Sequence, residues 1–182
     1  HDSGRYRALV ASIAPLDPTD AAAIAQLSYA YAAGIDHRDW VLYRSIFTES
    51  CEFDFSSWSG RPAAVLAADD WVAAVRSTNG SFDATQHLMS NHRIELVDDR
   101  TAIGVNELQA QHFFSADTMK AFGRPAESAW CLLGGHYTNR YVRTVDTGSG
   151  WNGWRIAACR LTVRWRTGDE SIFPLARSRG AE

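Results

Sequence analysis

Apolar positions recur at helical spacing early in the chain and at strand spacing later. Ile24, Leu27 and Tyr31 stand at i, i+3 and i+7, so one helical face carries all three. Asp20 precedes Ala21-Ala22-Ala23 as an N-cap, and Gly34 is placed to end that helix. Asp39 is placed to cap a second, short helix with Trp40, Tyr43 and Phe47 on its apolar side. Cys51-Glu52-Phe53-Asp54-Phe55 alternates with period two and predicts a strand. Gly60-Arg61-Pro62 is a turn signal. A third helix is expected over 64–77, carrying Trp71, Val72 and Val75 and broken by Asn79-Gly80.

From Ala84 onward the period changes. Four long strands are expected, at about 85–98, 100–114, 128–145 and 153–167. Asp98-Asp99 links the first two as a hairpin. Gly123-Arg124-Pro125 lies in a longer loop, and Thr147-Gly148-Ser149-Gly150 joins the last two. Residues 1–19 lack strong periodicity and contain Pro15 and Pro18, which predicts an N-terminal arm. The tail, 169–182, is polar except for Ile172-Phe173-Pro174-Leu175. Helices first and an antiparallel meander afterwards indicate an α+β domain over 20–168, with helices on one face of a curved, mostly antiparallel sheet.

Strand alternation sorts the side chains by face. His87, Met89 and Asn91 share one; Leu108, Ala110, His112 and Phe114 share another; Tyr137, Asn139 and Tyr141 go together. Antiparallel pairing about Asp98-Asp99 sets His87 opposite residues 110–112, so His87 and His112 become neighbours in that register. An acidic pair brackets a short basic turn upstream, Asp36-His37-Arg38-Asp39-Trp40. A carboxylate beside an imidazole moves protons near neutral pH, which makes Asp36 and His87 a candidate acid/base pair. Taken singly, Asp36 reads as a turn residue and Tyr31 as core, while His37, His92 and His136 read as structural or solvated.

Composition narrows the function. A hydrophobic share of 46% suffices for a core, and 12% aromatics with seven Trp suggest a large apolar cavity or a subunit interface. Net charge is −3 with no basic stripe, which disfavours nucleic acid as a partner. Cys51, Cys131 and Cys159 are odd in number and widely spaced, as expected of buried thiols in a reducing, cytoplasmic setting. No apolar run reaches the ~20 residues of a membrane span, and the mixed first fifteen residues do not read as a signal peptide. HExxH, paired CxxC, GxGxxG, P-loop and GxSxG patterns are all absent, so the expectation is chemistry without metal or organic cofactor.

The stretches Asp36-His37-Arg38-Asp39-Trp40, Thr85-Gln86-His87, Gln111-His112 and Gly153-Trp154-Arg155-Ile156 through Arg164-Trp165 resemble the SnoaL-like family, in its scytalone and bile-acid dehydratase branch. The resemblance covers roughly 20–168. It implies a cone whose sheet wraps around the N-terminal helices to form an internal pocket. It also implies loss of water from a hydroxy-carbonyl compound, with Asp36 orienting and charging His87, His112 assisting the leaving group, and Asn139 binding a substrate oxygen. It further implies a homo-oligomer, a trimer with a dimer as the alternative, and a tail that closes the pocket mouth.

The chain departs from that pattern at three positions. Two tyrosines that hold a water in scytalone dehydratase align with Ile35 and Phe55, which donate no hydrogen bond. A family serine aligns with Tyr137. Tyr31, five residues before Asp36, resembles the tyrosine of the bile-acid dehydratase and is the expected replacement. Tyr31, Asn139 or Tyr137 would then stabilise an enolate oxygen. Trp40, Phe53, Phe55, Trp58, Trp71 and Phe114 would line a dry pocket for a bulky, apolar or polycyclic small molecule. Cyclases, isomerases and dehydrohalogenases of the same group share the proton abstraction, and a non-catalytic binding module is the reading from another class.

Overall fold

The computed structural model describes residues 17–145 and 151–180. Most of the expected N-terminal arm, and the Thr147-Gly148-Ser149-Gly150 link, lie outside the described residues. Helix α1 spans Pro18–Asp36 and starts earlier than the alanine run suggested. Asp17 is its cap, accepting the Thr19 N–H at 2.7 Å, and Pro18 fits the first turn, where no intrahelical donor is needed. Asp20 lies inside that turn, and its carboxylate instead accepts the indole N–H of Trp154 and pairs with Arg143.

Gly34 does not end α1. It is buried in the last turns, where an added Cβ would stand 2.7 Å from the Cβ of Tyr43. The helix ends at Asp36, and Arg38, at φ 61°, turns the chain. Helix α2, Trp40–Ser45, begins as expected on Asp39, whose Oδ1 accepts the Leu42 N–H at 2.9 Å. Phe47, expected on that helix, opens strand β1, Phe47–Asp54. One turn, α3, covers Ser56–Ser59.

The third expected helix is divided. Residues Ala64–Ala67 form strand β2, antiparallel to β1 from Ser50↔Ala67 to Phe53↔Ala64, and helix α4 runs from Ala68 to Asn79. A waiting strand edge thus outweighed local helix propensity at 64–67. Strands β3, Ala84–Asp98, β4, Thr101–Phe114, β5, Ala129–Arg143, and β6, Trp154–Gly168, form the expected meander. Helix α5, Ala116–Ala121, lies between β4 and β5, and helix α6, Ile172–Arg179, occupies the tail.

The sheet order is β2-β1-β6-β5-β4-β3, antiparallel throughout except for the parallel β1–β6 pair. His87 pairs with Ala110, within the expected 110–112, although the turn is Asp99-Arg100 and not Asp98-Asp99, and register shifts at Leu96/Asp98 and Ser90/Arg93 carry the ladder there. The ladder shifts between Ser90 and Arg93, where Asn91 has φ 53°, so the β3 alternation does not carry past Met89. The sheet is a curved, unclosed cone with α1 packed inside it against β3 and β6.

The main core joins Ile24, Leu27, Tyr31 and Ile35 of α1 to Leu108, Tyr137, Ile156 and Leu161 of the sheet. A second cluster at the other end holds Phe82, Phe114, Met119, Ile172 and Phe173. Cys51, Cys131 and Cys159 are buried and free. No helix among the described residues is long and apolar enough to cross a membrane.

Candidate active site

Asp36 stands at the last turn of α1, aimed at the start of β3. Its Oδ1 lies 2.7 Å from Nδ1 of His87, and its Oδ2 accepts the backbone N–H of His87, also at 2.7 Å. Thr85 donates its hydroxyl to Asp36 Oδ1 at 2.9 Å and accepts from Arg38 Nη1 at 2.8 Å. The Arg38 guanidinium also donates to the carbonyls of Ile35 and Phe82, tying the end of α1 to the β3 approach. Burial opposes ionisation of Asp36. The ring, charge and backbone N–H of His87, with the Thr85 hydroxyl, outweigh it and hold the carboxyl below the usual carboxylate range.

Because a carboxylate oxygen only accepts, this geometry assigns the Nδ1 proton to His87 and leaves Nε2 as the basic nitrogen. His112 sits diagonally across the β3–β4 pair, its ring centroid 5.6 Å from that of His87. Burial first, and then the neighbouring His87 charge, push the His112 imidazole down to about 3, so it stays neutral at ordinary pH. Its Nε2–H donates to Asn79 Oδ1 at 3.1 Å, while its buried Nδ1 has no hydrogen-bond partner.

His87, His112 and Asn79 face a cavity of about 760 Å³ between helices and sheet. Tyr31 and Tyr137 share a hydrogen bond of 3.1 Å between their hydroxyls on its inner wall. Burial pushes both phenols well above the usual tyrosine range, so both stay protonated. Phe53, Phe55 and Trp58 line the cavity, and Phe53 stacks on Trp71 with ring centroids 4.1 Å apart. Ile35 lines it as well, so both family tyrosine positions are apolar wall.

Three expected lining residues lie elsewhere. Asn139 is buried away from the cavity lining and donates to the Tyr141 hydroxyl at 3.1 Å. It shares the inward face of β5 with Tyr137 but lies one full alternation further along the strand. Trp40 packs edge-on against Tyr43 and borders a separate outer groove with Arg38 and Arg76. Phe114 belongs to the second cluster, against Phe82 and Phe122. In their place the wall gains Asn79 and, from α6, Phe173 and Pro174. Among the described residues, no group of three or more His, Cys, Asp or Glu could hold a metal ion.

The SnoaL-like domain model matches residues 18–160, most of the chain. The chain belongs to the SnoaL-like domain family. Among curated relatives, this SnoaL-like chain is 28% identical over 167 residues to scytalone dehydratase arp1 of Aspergillus fumigatus, covering 87% of the chain and 90% of that protein. It is 23% identical over 146 residues to the scytalone dehydratase of Pyricularia oryzae, covering 75% and 76%.

Solved SnoaL-like structures superpose well. The Kfla4162 protein of Kribbella flavida matches with a TM-score of 0.72 at 29% identity, covering 87% of this chain and 97% of that one. The hexachlorocyclohexane dehydrochlorinase LinA-type3 of Novosphingobium barchaimii matches with a TM-score of 0.62 at 17% identity, covering 82% and 89%, a likeness of fold.

Proposed function

We propose that this chain is a lyase that removes water from a bulky, apolar hydroxy-carbonyl compound by acid/base catalysis at His87. The observation that carries the reading is the 2.7 Å contact between Asp36 and the His87 ring, made at the edge of a largely aromatic cavity. The relatives named scytalone dehydratase support the same class of reaction.

In the proposed reaction, His87 Nε2 takes the proton from the carbon next to the substrate carbonyl. The electron pair of that C–H bond moves into the enolate, and Asp36 stabilises the imidazolium that forms. The free O–H of the Tyr31–Tyr137 pair donates to the enolate oxygen; two hydroxyls that share one hydrogen bond keep one proton to give. The enolate then re-forms its carbonyl and a C=C bond as the C–O bond to the β-hydroxyl breaks. The His87 imidazolium returns its proton to that oxygen, and water leaves. His112 is neutral and flanks His87 on the cavity wall as a polar neighbour, not as a cationic acid.

A panel of polycyclic β-hydroxy ketones, followed by mass spectrometry for loss of water, tests this reading. Turnover by the wild-type protein is expected to vanish in His87→Asn with the fold intact by circular dichroism. Undiminished turnover in that variant would sink the mechanism.

A further inference from the structure

The cavity wall changes character along its length. Tyr31, Tyr137, Leu108 and Leu133 form a buried, apolar inner part, whereas Arg61, Arg166 and Arg177 are exposed and mark the open end. Three arginines and a single glutamate, Glu170, are the charged groups of that wall apart from the two histidines. The chain as a whole has a formal charge of −3, so this local excess of positive charge runs against the molecule's balance.

Arg166 is already engaged. Its Nη1 bonds Glu170 Oε2 at 2.8 Å, and its guanidinium lies over the Trp58 ring at 4.9 Å. The Arg61 and Arg177 guanidiniums make no ion pair or hydrogen bond among the described residues. Arg61 comes from the turn before β2 and Arg177 from α6, so two separate elements bring free cations to one opening.

We propose that the opening between Arg61 and Arg177 binds an anionic group, and that the substrate is an amphiphile whose apolar body fills the inner cavity. A guanidinium presents forked donors that match a carboxylate or phosphate, so at the rim it selects charge and orientation. Anchored there, the anion keeps the charged end in water and directs the apolar end toward His87. The proposal rests on the cavity being the substrate site. It does not depend on which bond is broken inside.

The test is binding, read by fluorescence titration. 1-Anilinonaphthalene-8-sulfonate carries an anion on the same ring body as the neutral N-phenyl-1-naphthylamine. The wild type is expected to prefer the sulfonate, and Arg61→Gln/Arg177→Gln to bind it roughly tenfold more weakly, about 1.4 kcal/mol, with the neutral probe unchanged. A control of equal charge, Arg93→Gln/Arg124→Gln, away from the cavity, is expected to keep the preference.

Displacement by 2-naphthoate and by 2-naphthyl phosphate separates a free acid from a phosphorylated ligand, and stronger displacement by either than by neutral 2-naphthol supports the site. Equal loss for both probes, equal loss in the control, or 2-naphthol competing as well as the anions would overturn it. Failure of the His87 mechanism would leave the probe preference intact, so the two ideas fail separately.

Discussion

Asp36 binds His87 twice, once at the ring and once at the backbone, each at 2.7 Å. The backbone contact fixes where β3 begins relative to the end of α1, and the ring contact fixes which nitrogen carries the proton. Position and tautomer therefore depend on one carboxylate. Replacement by Asn keeps the shape but can turn its NH2 toward the imidazole and reverse the tautomer. Asp36→Asn is expected to lower kcat roughly 10²–10⁴-fold with a smaller effect on KM, checked by steady-state kinetics on a folded variant.

The same carboxylate links stability to acid. Its folded pKa lies below the unfolded value near 3.8, so its contribution is complete above that value and is lost as pH falls through the lower folded one. Asp83 behaves alike. Burial opposes its ionisation, but the Ser115 N–H, Thr118 and Arg179 outweigh it and bring the carboxyl to about 2. Asp83 bonds Ser115 N at 2.8 Å and Arg179 of α6 at 2.9 Å. Thermal melts are expected to show Asp83→Asn less stable than wild type at neutral pH, with the difference closing between about 3.8 and about 2.

His112 has a linkage of the same sign over a higher pH range. Its folded pKa of about 3 lies below the unfolded 6.5, so the unfolded chain binds the proton first. Stability is intact above 6.5 and falls by about 1.4 kcal/mol per pH unit for that proton on acidification, until the folded group titrates. NMR titration should find the His112 ring neutral at pH 5. Asn79→Asp places a carboxylate where Oδ1 now accepts from Nε2, and should raise the His112 pKa; an unmoved titration would contradict the contact.

Tyr31 and Tyr137 hold each other's hydroxyl inside the core. Tyr31→Phe leaves the Tyr137 oxygen buried with its partner gone, at a cost of about 1–3 kcal/mol. Tyr31→Phe/Tyr137→Phe removes both polar groups and should cost less than the sum of the single changes. Denaturant melts of the three variants close the double-mutant cycle, and additive costs would show that the pair does not act as a unit.

Gly34 marks a close approach of α1 to α2. Gly34→Ala would place Cβ 2.7 Å from Tyr43 Cβ and 2.9 Å from Tyr43 Cα and N, against backbone that cannot swing aside. A loss of about 1–3 kcal/mol is expected, measurable as a lowered Tm. A neutral substitution would mean that the two helices separate easily.

Periodicity made the element order readable, because strands and helices repeat with different periods and each pattern is local. It also placed His87 against residues 110–112, but two register shifts along the hairpin, which no local period announces, set it on Ala110. It failed at 64–67, where pairing with β1 decided for strand, and at Gly34, where a close helix crossing imitates a helix stop.

The make-up of the site was less legible. Thr85 and Arg38 stand in the recognisable motifs, but their hydrogen bonds to Asp36 and around it join segments 44 to 49 residues apart. Asn139 and Tyr137 alternate alike on β5, yet Tyr137 meets Tyr31 at the cavity wall while Asn139 bonds Tyr141 away from it. The sequence by itself determined the class of fold and the acid, base and aromatic side chains available. Tertiary structure decided which of them share a cavity, because that depends on contacts between distant segments that no local period encodes.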